Sequence, residues 1–325
     1  MTGVQTCALP IFAIGYQAGY SNTSGGANNF VGSSAGYSNT TGLYNIALGT
    51  QALYSNTTAS NNTAVGYQAG YSNTTASNNI AIGYQAGYST TTGIQNVCIG
   101  AQAGYTGTVL SSTTAVGYQS LYSTTATINT AVGYQAGYST STGDTNAFFG
   151  YLAGYGVTTA SQVLFLGAYS GPDTSTASTG NRNVGVGYST MTKTTSGSQN
   201  VAVGGNSLRV NTTGSNNVAL GDSALYSNTT ASNNTAVGYQ AGYSNTTGTN
   251  TVAIGKQALY NTTTTNYNIA IGNQAGYTNV TGTRNLFIGN TAGYYNTASR
   301  NTFIGYSVGY NNTTGVGICA VGNSD

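Results

Sequence analysis

The sequence predicts an all-β fold, a parallel β-solenoid (β-roll) of about 19 coils with a 17-residue repeat. Three observations predict it. A glycine recurs at an almost constant interval, the residues before it alternate between two kinds of side chain, and other positions of the repeat carry the same polar or aromatic residue in most copies. A unit of this length cannot bury a core alone, so each unit must stack on its neighbours.

The glycine that ends each apolar segment sets the repeat. It occurs 19 times, and of the 18 intervals 15 are 17 residues, two are 16 and one is 20. Slippage in a low-complexity sequence would not keep this phase. These anchor glycines are Gly15, Gly32, Gly49, Gly66, Gly83, Gly100, Gly117, Gly133, Gly150, Gly167, Gly187, Gly204, Gly221, Gly238, Gly255, Gly272, Gly289, Gly305 and Gly322.

The residues before each anchor glycine have the pattern of a strand. A large apolar residue comes immediately before the glycine, a mostly β-branched or aliphatic residue comes three before it, and Ala or Phe lies between them. This alternation predicts a strand, whereas the frequent Gly, Asn and Thr residues disfavour a helix. We expect the β-branched face to form the core and the Ala/Phe face to pack against a partner chain. The core ladder would include Val65, Ile82, Val132 and Val237.

Two other positions of the repeat predict ladders of identical side chains. Asn stands four residues before the anchor in 14 of 19 units, and Tyr stands five after it in 15 of 18. Stacked amides can bond from coil to coil, and stacked rings can cover apolar surface while their hydroxyls stay in water. The S-N-T-T segment between them has the composition of a turn. Candidate ladder residues are Asn62, Asn79, Asn129, Asn234, Tyr71, Tyr88, Tyr138 and Tyr243.

The unit N-[VIT]-A-[VI]-G-x-x-A-G, as at Asn79–Gly87 and Asn268–Gly276, resembles the head repeat of trimeric autotransporter adhesins. Similar repeats occur in phage tail-fibre proteins. The resemblance covers nearly the whole chain, although the present unit is a few residues longer. It implies a left-handed parallel β-roll, three chains side by side, an adhesive or structural role, and an extracellular location on a cell surface or a virion.

Composition argues against most other function classes. Of 325 residues six are Lys or Arg, four are Asp, and none is His or Glu. Without these groups Ser–His triads, carboxylate pairs and His-based metal sites cannot be built, so we predict a non-enzymatic chain with no cofactor, no catalytic residue and no metal site. A net charge of +2 without a basic cluster disfavours nucleic acid, and no apolar stretch reaches the roughly 18 residues of a membrane helix. The expected partners are further copies of the chain, as a homotrimer or fibre, and a surface glycan or receptor.

Two alternative functions rest on the turn segment. Thr lies eight residues after the anchor in 15 of 18 units, which is compatible with an ice-binding solenoid carrying Thr ladders. The N-x-[ST] sequons are compatible with a glycosylated structural fibre, although N-T-T is also ordinary turn chemistry. Among these sequons are the ones that begin at Asn22, Asn39, Asn56, Asn73, Asn211, Asn228 and Asn245.

The repeat is broken once, by an insertion near residues 168–186 within the 20-residue interval. The Tyr position is then lost in three consecutive units, which carry Pro172, Thr192 and Arg209 instead. Insertions in solenoids map to loops that often bind partners, although drift in a tolerant loop would look the same. Much of the charge of the chain lies here, so the candidate partner contacts are Asp173, Arg182, Lys193 and Arg209.

The repeat domain is predicted to span residues 12–325 as a single domain. Residues 1–11, M-T-G-V-Q-T-C-A-L-P-I, look like the translation of a sequencing-adapter oligonucleotide, and we interpret them as an assembly artefact rather than a signal-peptide remnant. On this interpretation the natural ends of the chain lie elsewhere. Cys98 and Cys319 are many coils apart, too far for a disulfide.

Overall fold

The computed structural model describes residues 11–323, and over this range the chain is an all-β parallel solenoid with one three-residue strand per coil. The predicted fold class is confirmed, and no helix occurs among the described residues. The adapter-like residues before Ile11, including Cys7, lie outside this range. The strands form because each three-residue apolar segment continues the ladder of the coil before it.

The chain divides into two compact units, the first ending at Thr159 and the second beginning at Ala160. The first unit contains β1 (Phe12–Ile14), β2 (Asn29–Val31), β3 (Ile46–Leu48), β4 (Thr63–Val65), β5 (Ile80–Ile82), β6 (Val97–Ile99), β7 (Thr114–Val116), β8 (Thr130–Val132) and β9 (Ala147–Phe149). The second contains β10 (Leu164–Leu166), β11 (Val184–Val186), β12 (Val201–Val203), β13 (Val218–Leu220), β14 (Thr235–Val237), β15 (Val252–Ile254), β16 (Ile269–Ile271), β17 (Leu286–Ile288), β18 (Thr302–Ile304) and β19 (Cys319–Val321).

Within each unit every strand pairs in parallel with the next strand along the chain. The register places equivalent residues side by side, as for Ala64 with Ala81 and Val65 with Ile82 in β4 and β5. Short insertions and deletions between strands do not change this register, since Phe287 still pairs with Phe303 across a 16-residue interval. Each position of the repeat therefore becomes a ladder.

The face assigned to the core from the sequence was wrong. Ala64 and Ala81 are buried, whereas Val65 is half-buried and Ile82 is 36% exposed. Val132 and Val237 also lie on the outside, with Val132 exposed and Val237 half-buried. The interior is the Ala/Phe face, and its large buried residues are Phe30, Phe148, Phe165, Phe287 and Phe303.

The narrow interior explains this reversal. One coil turns Ala64, Ala69, Asn73 and Ala76 inward, and all four are buried. Four inward side chains from a single 17-residue turn leave little room, so most of them must be small. The β-branched side chains point the other way along the strand, because successive residues of a strand face opposite sides.

The anchor glycine is required by the close approach of neighbouring coils. Gly66 has φ +134°, and a Cβ built there would lie 2.5 Å from the carbonyl oxygen of Gly83. Only glycine fits a position with both a positive φ and backbone contact at this distance. The glycine that reveals the repeat in the sequence is therefore the residue that lets the coils stack.

Candidate functional site

The outward side chains one residue before each anchor glycine are all apolar, and those three before it are mostly aliphatic with several Thr. Together they form a largely apolar strip, which we call the strand face. Every one of them is exposed or half-buried in the described coils. Ile80 and Ile82 are 39% and 36% exposed in the first unit, and Ile269 and Ile271 are 39% and 38% exposed in the second. Val65 belongs to this strip in the first unit and Val237 in the second. A contiguous apolar strip of this kind is typical of an interaction surface.

The Asn ladder lies inside the coil, where it joins one coil to the next. The Oδ1 atom of Asn62 accepts from the backbone N–H of Asn79 at 3.0 Å, and Nδ2 of Asn79 donates to the Gly93 carbonyl at 2.9 Å. Asn129 and Asn234 donate in the same way to carbonyls fourteen residues ahead, at 3.0 and 2.8 Å. These side chains satisfy backbone groups in the interior and offer nothing to a ligand.

The Tyr ladder lies at the surface as a stack of nearly parallel rings. The ring centroids of Tyr71 and Tyr88 are 5.1 Å apart with an interplanar angle of 7°. Tyr138 stacks on Tyr122 at 5.1 Å, and Tyr243 stacks on Tyr260 at 5.1 Å. Partial burial, and then repulsion from neighbouring tyrosinates, raises the pKa of Tyr88 and Tyr138 above the usual value.

Two ladders were missed from the sequence, although their residues recur visibly. Gln two residues after the anchor forms an amide ladder, as where Gln68 Nε2 donates to Gln51 Oε1 at 2.8 Å. The Asn of the S-N-T-T segment forms a second internal ladder, as where Asn56 Nδ2 donates to Asn39 Oδ1 at 2.8 Å. The composition of this segment predicts a turn and gives no sign that its Asn faces inward.

The geometry of the turn segment does not favour the two alternative functions. Thr57 Oγ1 donates to the Thr74 carbonyl at 3.0 Å, and Thr229 Oγ1 donates to the Thr246 carbonyl at 3.0 Å. These hydroxyl donors face the protein, whereas an ice lattice needs them in the solvent. Of the seven sequon asparagines named above, six are buried with their amide nitrogens bonded inside the protein. They are Asn39, Asn56, Asn73, Asn211, Asn228 and Asn245.

At the break in the repeat the Tyr stack is interrupted by Pro172 and Thr192, both of which are buried. A pocket of about 280 Å³ opens at this place, and we call it the Thr192 pocket. Since Pro and Thr are smaller than the Tyr that other coils carry here, the missing ring volume accounts for the opening. Its lining residues are Tyr169, Asp173, Tyr188, Ser189, Thr192, Lys193 and Arg209.

Three of the four predicted partner contacts meet at this pocket. Lys193 Nζ and Asp173 Oδ2 form an ion pair at 2.6 Å, and Arg209 lines the same opening. Arg182 does not join them: its Nε donates to Gln162 Oε1 at 2.9 Å, in a different surface depression. The pocket residues Tyr169, Tyr188 and Thr192 were not singled out from the sequence as contacts.

Among the described residues that line the pocket, Lys193 is paired with a carboxylate and Arg209 is not. Burial alone would raise the pKa of Asp173, but hydrogen bonds from Lys193, Ser175 and Thr176 outweigh it and hold this pKa below its usual value. Asp173 is therefore ionised at neutral pH and paired with Lys193. The guanidinium of Arg209 lies over the Tyr226 ring at 5.7 Å and donates from Nη1 to its hydroxyl at 2.9 Å.

Comparison with protein-family models, curated proteins and solved structures found no match to this chain. The geometry therefore carries the functional argument. Within residues 11–323, no three His, Cys, Asp or Glu side chains are grouped as a metal site would need. The same part of the chain has no helix long and apolar enough to cross a membrane.

Proposed function

We propose that this chain is an extracellular structural and adhesive protein, part of a bacterial surface adhesin or a phage tail fibre, and that it acts without enzymatic chemistry. The observation that carries the proposal is the strand face. In each unit it repeats half-exposed aliphatic side chains coil after coil, at positions such as Ile82 and Ile271. The resemblance of the repeat to adhesin head repeats supports the same role.

The partner that best fits the strand face is a second copy of the same chain. Its own strand face has the same period, so each aliphatic row meets an equivalent row without loss of register. Burial of the face removes apolar surface from water, at about 25 cal/mol per Å². Self-association, as a homotrimer or a fibre, is the expected state.

Sedimentation velocity of the purified chain tests this proposal. Wild type is expected to sediment as an oligomer, and the double variant Ile82→Lys/Ile271→Lys as a monomer, because a buried ammonium without a partner opposes association. Thr75→Lys/Thr230→Lys is the matched control: it adds the same charge at exposed turn positions, and its association should be unchanged. A monomeric wild type at high concentration would contradict the proposed self-association.

A further inference from the structure

The Thr192 pocket lies at the break in the repeat and has its own chemistry. It lies where three consecutive coils lack the ladder Tyr, and a volume of about 280 Å³ places it at the small end of ligand pockets, roughly 300–1,000 Å³. A pocket of this size holds one small ring rather than a long chain. All of its lining residues belong to the second unit.

One wall of the pocket is aromatic. The rings of Tyr169 and Tyr188 are 38% and 59% exposed, with centroids 5.8 Å apart and an interplanar angle of 83°. In this edge-to-face arrangement the face of one ring stands beside the edge of the other. In the regular Tyr ladder the rings cover one another's faces, as Tyr71 and Tyr88 do, whereas this corner leaves apolar ring surface facing the pocket.

The other walls are polar and carry both hydrogen-bond donors and acceptors. Lys193 is half exposed at 45% and donates to Asp173, and the side chains of Ser189 and Thr192 line the same opening. An apolar corner beside such polar groups matches a pyranose, which has a C–H face and a rim of hydroxyls.

The second cation of the pocket, Arg209, indicates that the ligand is an anion. A guanidinium has five N–H donors in a planar fork that suits a carboxylate. Among the described residues Arg209 makes one side-chain hydrogen bond, from Nη1 to Tyr226, and this bond together with the ring contact holds it in place. An ordered guanidinium loses less side-chain entropy when it binds an anion.

We propose that the Thr192 pocket binds an acidic saccharide, a single six-membered sugar ring that carries a carboxylate. The ring packs in the corner of Tyr169 and Tyr188, its hydroxyls bond to Asp173 and Lys193, and its carboxylate meets Arg209. This role goes beyond the proposed structural one, because the pocket lies within one chain and needs no second copy.

Saturation-transfer NMR with glucuronate and glucose as probes tests the assignment. Glucuronate is expected to bind with a dissociation constant on the order of 1 mM, as is typical for so small a contact, and glucose about tenfold more weakly. Equal binding of both sugars would overturn the acidic class, and no saturation transfer from wild type would overturn the site.

Two variants locate the binding. Thr192→Tyr restores the residue that 15 other units carry and should abolish binding by filling the pocket. Arg209→Gln should weaken glucuronate binding about tenfold and leave glucose unchanged. Arg284→Gln is the matched control, because Arg284 also lies 5.7 Å from a Tyr ring centroid, that of Tyr267, but does not line the pocket. Unchanged glucuronate binding in Arg209→Gln would overturn the proposal even if Thr192→Tyr failed to fold. Sedimentation velocity gives the oligomeric state of each variant, so a change in saccharide binding can be told apart from a change in self-association.

Discussion

The aromatic ring of Phe30 occupies the space that a side chain at Gly36 would need: a Cβ built at Gly36 would lie 2.6 Å from Phe30 Cε1. The same pairing recurs in the second unit, where a Cβ at Gly293 would lie 2.5 Å from Phe287 Cδ1. Coils with a large residue at the glycine position, such as Leu53 and Leu225, have Ala on the neighbouring strand. In these coils one large side chain fills the interior, from either the strand position or the glycine position, whereas the coil of Ala81 and Gly87 has a large residue at neither.

This relationship predicts different costs for the same substitution in two coils. Gly36 and Gly87 have φ of +58° and +57°, so alanine at either site bears the same left-handed backbone strain, about 1–2 kcal/mol. At Gly87 the nearest atom to a new Cβ is Ala81 Cβ at 3.6 Å, which is ordinary contact. Gly36→Ala should therefore lower the free energy of unfolding by a further ~1–3 kcal/mol through overpacking against Phe30.

Urea denaturation of wild type and both variants, followed by circular dichroism, measures this difference. Gly87→Ala is the control for the backbone strain. If both variants lose the same free energy of unfolding, the ring of Phe30 moves aside without cost, contrary to the packing argument.

The limits of the sequence analysis have a physical cause that Ala64 and Val65 illustrate. Period-two alternation establishes that the two side chains point in opposite directions, and it predicted the strands. It cannot tell which direction is inward. Hydrophobicity alone would place Val65 in the interior, but the coil is so narrow that the small Ala64 lies there instead. The coil is narrow because Asn73 and Ala76 also point inward, and the composition of their segment, which is that of a turn, does not reveal this.

The pocket could have been predicted in part. Asp173 and Lys193 both stand six residues after an anchor glycine, so stacking in register brings them together across the 20-residue interval. Tyr169 could not be placed in this way, because it replaces the Gln of the regular repeat and its ring direction depends on the inserted loop. The residues that repeat were predictable, and those that depart from the repeat required coordinates.

Two asparagines of the same ladder are expected to differ in their contribution to stability. Asn217 Nδ2 donates to the Ala231 carbonyl at 2.8 Å and to Asn200 Oδ1 at 3.1 Å. Asn62 Nδ2 is buried and has no acceptor among the described residues, although its Oδ1 accepts from the Asn79 N–H as Asn217 Oδ1 does from Asn234. Asn217→Ala should cost ~1–3 kcal/mol more than Asn62→Ala, since both variants lose the bond to Oδ1 but only Asn217→Ala also loses hydrogen bonds donated by Nδ2. Denaturation midpoints of the two variants measure the difference, and a larger loss in Asn62→Ala would contradict it.

The two cysteines of the described range should react at very different rates. Cys98 is buried in the first unit, and burial raises the pKa of its thiol to about 12. The thiolate is the reactive form, so Cys98 should resist iodoacetamide at about pH 8.5 until the chain unfolds, while exposed Cys319 is alkylated in the folded state. Peptide mapping by mass spectrometry, with and without urea, reads both sites. Rapid labelling of Cys98 without urea would indicate local opening of the core.

The Tyr stacks predict that the fold weakens in alkali. Partial burial first, and then repulsion among neighbouring tyrosinates, raises the pKa of Tyr88, Tyr122 and Tyr138 in the folded chain. The unfolded chain therefore loses these protons first, at about pH 10. Stability is fully present below that pH and is lost as pH rises from about 10 through the higher folded pKa values, because in this window the folded state binds more protons than the unfolded one.

Thermal unfolding between about pH 8 and pH 11 measures this loss. The chain should carry Cys98→Ala, which removes a buried thiol that titrates in the same direction. In that background the triple variant Tyr88→Phe/Tyr122→Phe/Tyr138→Phe keeps the stacked rings but has no phenol to ionise. Its melting temperature should fall less steeply with pH than that of its parent, while the two remain close at about pH 8. Parallel pH profiles would mean that ionisation of these stacked hydroxyls is not linked to folding.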